Sequence, residues 1–365
     1  MKVSDANVGC LLGGAVGDAL GAPVEFMSMG EIRRRYGDGG ITGYVEFWSG
    51  QGAFTDDTQM TLFTAEGLAL AGEKARGGGP RVLSAVVESV HRAYLRWLLT
   101  QGKEANWGRA RATPAALKTE GRLIHEKGLW AYRSPGMTCL AALQSGRCGS
   151  TSDPINVSKG CGGVMRVAPV GLRFADPEEA FRMGCEVAAI THGHPSGYLP
   201  AGFLAALVSS LSRGEDLPPS IERATALLRA WKGHAETLAA VKRAVARAAD
   251  RSRPGSASTL PFPEAIGSLA DKDDAPAPSG GWTGESALAI ALFSALCHAD
   301  DYRAGVLAAV NHGGDSDSTG AIAGNILGAK LGKAAIPRAW ISGLEMADLV
   351  EGSGLNGFPY RHREQ

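Results

Sequence analysis

Gly313-Gly314-Asp315-Ser316-Asp317-Ser318-Thr319-Gly320-Ala321-Ile322-Ala323-Gly324-Asn325-Ile326-Leu327-Gly328-Ala329-Lys330-Leu331-Gly332 joins two patterns in one stretch. It opens on two carboxylates set among hydroxyls, then carries glycines at 320, 324, 328 and 332. On a helix, residues four apart share a face, so these glycines form one smooth stripe. Each costs about 1 kcal/mol of helix propensity relative to alanine. A helix that keeps four of them is expected to lie against something very close. Gly9, Gly13, Gly17 and Gly21 repeat the spacing near the other end of the chain. Both segments read as crowded core helices; packing against each other and packing near a ligand are both open at this point.

Working outward, apolar residues recur at helical spacing, as in Met60, Phe63 and Leu68, or Val86, Val90, Tyr94 and Leu98. Alternating β-branched patterns are nearly absent, and the best strand-like piece, 41–47, is short. The expected class is all-α, with helices joined by Gly- and Pro-rich loops. Asp176-Pro177-Glu178-Glu179 reads as a helix start with Asp176 as cap. Pro219-Ser220-Ile221-Glu222 reads as another, with Ser220 as cap. Residues 72–80 and 251–281 look like linkers, and 212–250 looks like a helical excursion on the surface of a single domain spanning 1–365.

The chain has 365 residues, 44% hydrophobic, enough for a large core. Lys+Arg and Asp+Glu each number 37, so no global basic field recruits nucleic acid or an anionic membrane. Cys10, Cys139, Cys148, Cys161, Cys185 and Cys297 show no CxxC spacing and read as reduced thiols of a cytoplasmic, monomeric protein. The apolar run 8–16 superficially mimics a signal peptide, but Asp5 and Asp18 and its glycine content weaken that reading. No apolar stretch approaches the ~20 residues of a membrane span.

Four segments carry chemistry. Thr55-Asp56-Asp57-Thr58 precedes a helix, where Thr55 or Asp56 can cap and Asp57 favours the positive end of the dipole. In the opening stretch Asp317 or Ser318 can cap likewise, and the EF-hand alternative fails because Ile326 stands where its glutamate belongs. A cap needs one acid; two side by side repel unless a cation or proton intervenes, and oxygen-only sets suit Mg²⁺ or Mn²⁺. Four such carboxylates suffice for a two-metal hydrolytic centre. The run from Asn156 through Ser158, Gly160, Cys161, Gly162, Gly163, Val164 and Met165 is either an ordinary turn or a loop whose N–H groups face an anion. His192 and His194 suit a polar helix end or a ligand contact better than a metal. Glu25 follows the first glycine ladder.

In order and spacing these motifs resemble the ADP-ribosylglycohydrolase family, over nearly the whole chain. The resemblance rests on 13–21, on Phe54-Thr55-Asp56-Asp57-Thr58, on 158–169, on Thr191-His192-Gly193-His194-Pro195 and on 313–320, with 133–140 as a further piece. It implies an all-α orthogonal multi-helix bundle with a central cleft for two Mg²⁺ or Mn²⁺ ions. By motif position Thr55, Asp56, Asp57, Asp315, Asp317 and Ser318 would be the metal ligands. The loop with Asn156, Ser158, Gly160, Cys161, Gly162, Gly163, Val164 and Met165 would cradle ADP-ribose, with His192 along the same groove. Glu25, Asp56 and Asp57 would take part in catalysis, Glu25 as a mobile acid/base. The expected reaction is hydrolysis of an N- or O-glycosidic bond to ADP-ribose on an acceptor, such as a modified protein. A catalytically silent, crystallin-like ADP-ribose binder and a two-metal nucleotide phosphoesterase are the alternatives.

Overall fold

In the computed structural model, residues 3–48, 50–72, 80–252 and 280–356 are described. Of the expected linkers at 72–80 and 251–281, residues 73–79 and 253–279 lie outside them. The longer helices are α1 (Val3–Gly21), α2 (Met29–Tyr36), α3 (Asp56–Ala71), α4 (Pro80–Thr100), α5 (Met137–Gln144), α6 (Pro177–Ala189), α7 (Pro195–Leu211), α8 (Leu217–Arg229), α9 (Ala235–Arg251), α10 (Gly284–Cys297), α11 (Tyr302–Val310), α12 (Ser316–Leu331) and α13 (Ala347–Asn356). Among the described residues there is no strand: 41–47 forms no ladder, and only isolated bridges join Phe47 to Gly50 and Gly160 to Thr283. The fold is all-α, as expected.

The two glycine ladders face each other. α1 and α12 form the most extensive helix pair in the molecule. A Cβ added at Gly9, Gly13, Gly17 or Gly21 would meet the carbonyl oxygens of Gly328, Gly324, Gly320 or Ser316 at 2.5, 2.4, 2.0 and 2.3 Å. The partner numbers fall as the α1 numbers rise, so the helices run antiparallel with backbone against backbone. Side chains lock this register: Asn325 Nδ2 donates to the Cys10 carbonyl at 2.8 Å, and the Tyr302 hydroxyl donates to the Gly13 carbonyl at 2.7 Å. The apolar run that mimics a signal peptide is thus a core helix; Leu12, Val16 and Leu20 are fully buried.

The remaining helices wrap this pair. α13 covers α1, while α10 and α11 cover α12. α3 packs on α4, where Arg96, fully buried, donates to Glu66 at 2.8 Å. The other Glu66 oxygen accepts the N–H groups of Arg122 and Leu123 at 2.6 and 2.9 Å, which fixes α3 from its far side. Residues 212–250 are anchored: α8 packs on α7 through Leu217, Ile221 and Leu228, and α9 on α10 through Val241 and Ala244.

Helix starts split the expectations. Asp176 caps α6 by accepting the Glu178 N–H at 3.1 Å, as read. Ser220 is not a cap. Leu217 and the Pro pair after it open α8 one turn earlier, Asp216 stands at the cap position, and the Ser220 hydroxyl donates back to the Asp216 carbonyl. Nor does Asp317 or Ser318 cap α12: Asp315 stands at that position without a side-chain capping bond, and both residues fall in the first turn.

Candidate active site

The antiparallel glycine contact brings the end of α1 beside the start of α12, and α3 begins against both. Thr55 caps α3, its hydroxyl accepting the Asp57 N–H at 3.2 Å. A second cap comes from another helix. The Asp18 carboxylate, on α1, accepts the N–H groups of Thr55 and Thr58 at 2.9 and 3.0 Å and the Thr58 hydroxyl at 2.5 Å. The sequence reading assigned Asp18 no role. Its one signal was being the only charged residue between Asp5 and Glu25, inside a helix that glycine spacing had already placed in the core. Asp56 is held by its own N–H donating to the Arg133 carbonyl at 3.1 Å, and its carboxylate accepts the Gly136 N–H at 3.4 Å.

Asp18, Asp56, Asp57, Asp315 and Asp317 are all at least 96% buried, with exposures of 0, 4, 2, 3 and 3%. Oxygens of Glu25, Asp315 and Asp317 lie within 4.8 Å of one another. Burial, and next the Asp317 charge, pushes Asp56, Asp57 and Asp315 well above the usual carboxylate range. The same two causes raise Asp18 to about 7 and Glu25 to about 11. Burial raises Asp317 itself.

Along α3 three other buried polar side chains are partnered: Gln59 with Trp97, Gln101 and the Ala131 carbonyl, Thr64 with Tyr94, Glu66 with Arg96. Asp57 Oδ2 and Asp317 Oδ1 have no partner. Buried carboxylate oxygens left bare amid like charges could hold a hard cation.

The glycine loop closes the other side. The Cys161 thiol donates to Asp315 Oδ2 at 2.8 Å, and the Ser318 hydroxyl approaches Cys161 Sγ at 3.7 Å and Met165 Sδ at 3.9 Å. Ser158 Oγ accepts the Gly160 N–H and lies 3.1 Å from Thr138 Oγ1. His192 lies beneath: a Cβ on Gly162 would meet its ring at 2.8 Å, and one on Gly160 at 3.2 Å. Burial, then the Arg166 charge, brings His192 down to about 3, so it is a neutral imidazole bonded to Thr191 Oγ1. Gly163 is equally crowded, against the Gly197 carbonyl, and Val164 is fully buried in the core. The Asn156 amide is used within the protein, accepting from Ser158 and Gly193 and donating to the Thr191 carbonyl, which ties the loop to the histidine segment. His194 caps α7 through Nδ1, which accepts the Ser196 N–H at 3.0 Å, the polar helix-end role read for it.

The last two residues of the expected linker, Gly280 and Gly281, and the three that follow them belong here. The Gly280 carbonyl accepts the Asp315 N–H at 2.7 Å, the Trp282 carbonyl accepts the Cys161 N–H at 3.2 Å, and the Gly284 N–H donates to the Lys159 carbonyl at 2.8 Å. Residues 280–284 thus tie the acidic loop to the glycine loop through main-chain bonds.

The all-α chain thus gathers six carboxylates, Asp18, Glu25, Asp56, Asp57, Asp315 and Asp317, beside a glycine loop. The sequence profile of the ADP-ribosylglycohydrolase family matches residues 2–359, and the chain belongs to that family. The ADP-ribosyl-[dinitrogen reductase] glycohydrolase of Rhodospirillum rubrum is 27% identical over 356 residues, covering 94% of this chain and 92% of that protein. An uncharacterized protein of Archaeoglobus fulgidus is also 27% identical, over 350 residues, with the same coverage. A solved chain described as an ADP-ribosylglycohydrolase-related protein complex shares the fold, with a TM-score of 0.60 at 24% identity over 98% of both chains.

Proposed function

We propose that this hydrolase releases ADP-ribose from a modified acceptor by cleaving the N- or O-glycosidic bond at C1″, with two divalent cations, Mg²⁺ or Mn²⁺, held by Thr55, Asp56, Asp57, Asp315, Asp317 and Ser318. The observation that carries this reading is the pair of bare, buried oxygens, Asp57 Oδ2 and Asp317 Oδ1, within a set of mutually repelling carboxylates. When bound, the cations supply positive charge that holds sugar hydroxyls and acidifies water. The chain's own groups do the rest. Asp18 carries no cation in this reading; its hydrogen bonds hold Thr55 and Thr58, and hence the start of α3, in place. The loop from Ser158 to Met165 binds the diphosphate and the distal ribose, and the neutral His192 ring supports its glycines. The acceptor leaves C1″ as oxocarbenium character develops, and water adds there. Glu25 exchanges the proton, giving it to the leaving atom or taking it from water.

The experiment incubates an ADP-ribosylated protein with the enzyme and Mg²⁺ and follows free ADP-ribose. Asp56→Ala and Asp317→Ala are expected to lower turnover at least about a hundredfold. Undiminished turnover in either would remove the cation assignment. AMP as the product would replace glycoside cleavage with diphosphate cleavage.

A further inference from the structure

Glu25 sits on a turn whose geometry is unusual. Its N–H donates to the Gly21 carbonyl at 3.0 Å as the continuation of α1, and the next residue, Phe26, adopts φ +67°. That is the left-handed region, which an aromatic residue rarely occupies. The Phe26 N–H donates to the Gly314 carbonyl at 3.3 Å, and its ring, 69% exposed, stacks on Trp282 with centroids 5.0 Å apart and an interplanar angle of 27°. The Trp282 backbone is fixed by its bond to Cys161 and by the neighbouring bridge of Thr283 to Gly160. Val24 and Met27 on either side pack on the core, and the hydrogen bond and ring contact that tie the Glu25 turn itself to the acidic and glycine loops are those of Phe26. Across the site its carboxyl oxygens lie within 4.8 Å of those of Asp315 and Asp317.

We infer that Phe26 and Trp282 are positioning residues: their stack holds the turn that carries Glu25 over the acidic cluster. Trp282 is the only residue of the 280–284 segment whose side chain reaches this turn through a ring contact given by the structure. Without the stack, the left-handed strain at Phe26 favours relaxing the turn and swinging Glu25 outward. The kinetic half of this inference rests on the glycohydrolase reading; the structural half does not.

The test uses the full chain with Trp282→Ala, Trp282→Phe and Phe26→Gly, the last keeping φ accessible while removing the ring. Hydrogen–deuterium exchange of a peptide covering 22–29 is expected to quicken at least about fivefold in Trp282→Ala and Phe26→Gly, with 322–331 unchanged. On a substrate the wild type cleaves, Trp282→Ala and Phe26→Gly are each expected to lose about tenfold in kcat with KM within about threefold. The double variant should lose no more than the worse single, because both remove one contact, and Trp282→Phe should restore exchange and kcat to within about twofold. Unchanged exchange at 22–29 overturns the inference, as does a double variant whose losses multiply to about a hundredfold. If wild type releases no ADP-ribose while 22–29 still loosens, positioning stands and the functional reading falls.

Discussion

Asp18 and Asp317 share one cluster and one charge, but their hydrogen bonding gives them opposite effects on stability. Asp18 spends its carboxylate on two backbone N–H groups and a hydroxyl. Asp18→Ala leaves those donors buried and bare, and is expected to cost about 2–3 kcal/mol by urea unfolding. Asp317 Oδ1 has no partner, and its charge raises five neighbouring carboxyls. In EDTA, Asp317→Ala is expected to be more stable than wild type by at least ~1 kcal/mol, the worth of one pKa unit on one neighbour. Equal losses for both variants would sink this distinction. The same repulsion sets a pH dependence. Glu25 is raised to about 11 and Asp18 to about 7, so the folded chain retains protons that the unfolded chain has already released. A raised carboxyl stabilises at low pH, and that contribution is lost as pH climbs toward the folded value. Buried His91 and His312, brought down to about 4 mainly by burial, act in the opposite sense. Their contribution is complete above about 6.5 and is lost as pH falls toward 4. From about pH 7 to 9 these histidines are silent. There the cation-free protein should lose up to about 1.4 kcal/mol per pH unit for each carboxyl whose folded value lies above that window, as that of Glu25 does and that of Asp18 does not, seen as a falling Tm in EDTA that saturating Mg²⁺ flattens. A flat EDTA profile would mean the carboxyls are not raised.

At the scale of elements, the glycine ladder ties fold to site. Gly17→Ala puts a methyl 2.0 Å from the Gly320 carbonyl oxygen, and backbone cannot step aside as a flexible side chain does. The helices must separate, and Asp18 and Asp317 ride on them. The expected loss exceeds the 1–3 kcal/mol typical of an overpacked core, with weaker Mn²⁺ binding by electron paramagnetic resonance. Gly30→Ala on α2 is the control: its nearest neighbour, Arg34 Nη1, is 3.6 Å away, so it should gain up to about 1 kcal/mol. Similar Tm values for the two variants would refute the packing argument. The ladders were readable because only a neighbouring backbone explains four glycines at fixed spacing in each of two helices. Spacing did not choose between each other and a ligand as the neighbour; the antiparallel pairing did. The α8 start was misread because Pro219-Ser220 imitates a cap that Asp216 and Leu217 pre-empt one turn earlier.

For the whole molecule, sequence revealed the all-α class and two acidic clusters separated by 257 positions from Asp57 to Gly314 (314 − 57). Carboxylate pairs are legible because repulsion makes them expensive without a purpose. The crosspiece at 280–284 was not legible, because it acts through carbonyls and N–H groups that every residue possesses. Asp18 was hidden for a related reason: its partners are the backbone of a helix far along the chain. The pairing of α1 with α12 also has a consequence for biosynthesis. The stripe on α1 has no partner until residue 332 has been made, some 311 residues after Gly21 (332 − 21). At 5–20 residues per second the nascent chain carries an unsatisfied first helix for roughly 15–60 s. Ribosome-stalled chains are expected to leave α1 open to protease when 310 residues have emerged, and to protect it once α12 has cleared the exit tunnel. Protection at the shorter length would show that another partner shelters α1 first. The earliest of the described helices is thus expected to be among the last to find its place, because the acidic cluster draws Asp315 and Asp317 from near the far end of the described residues.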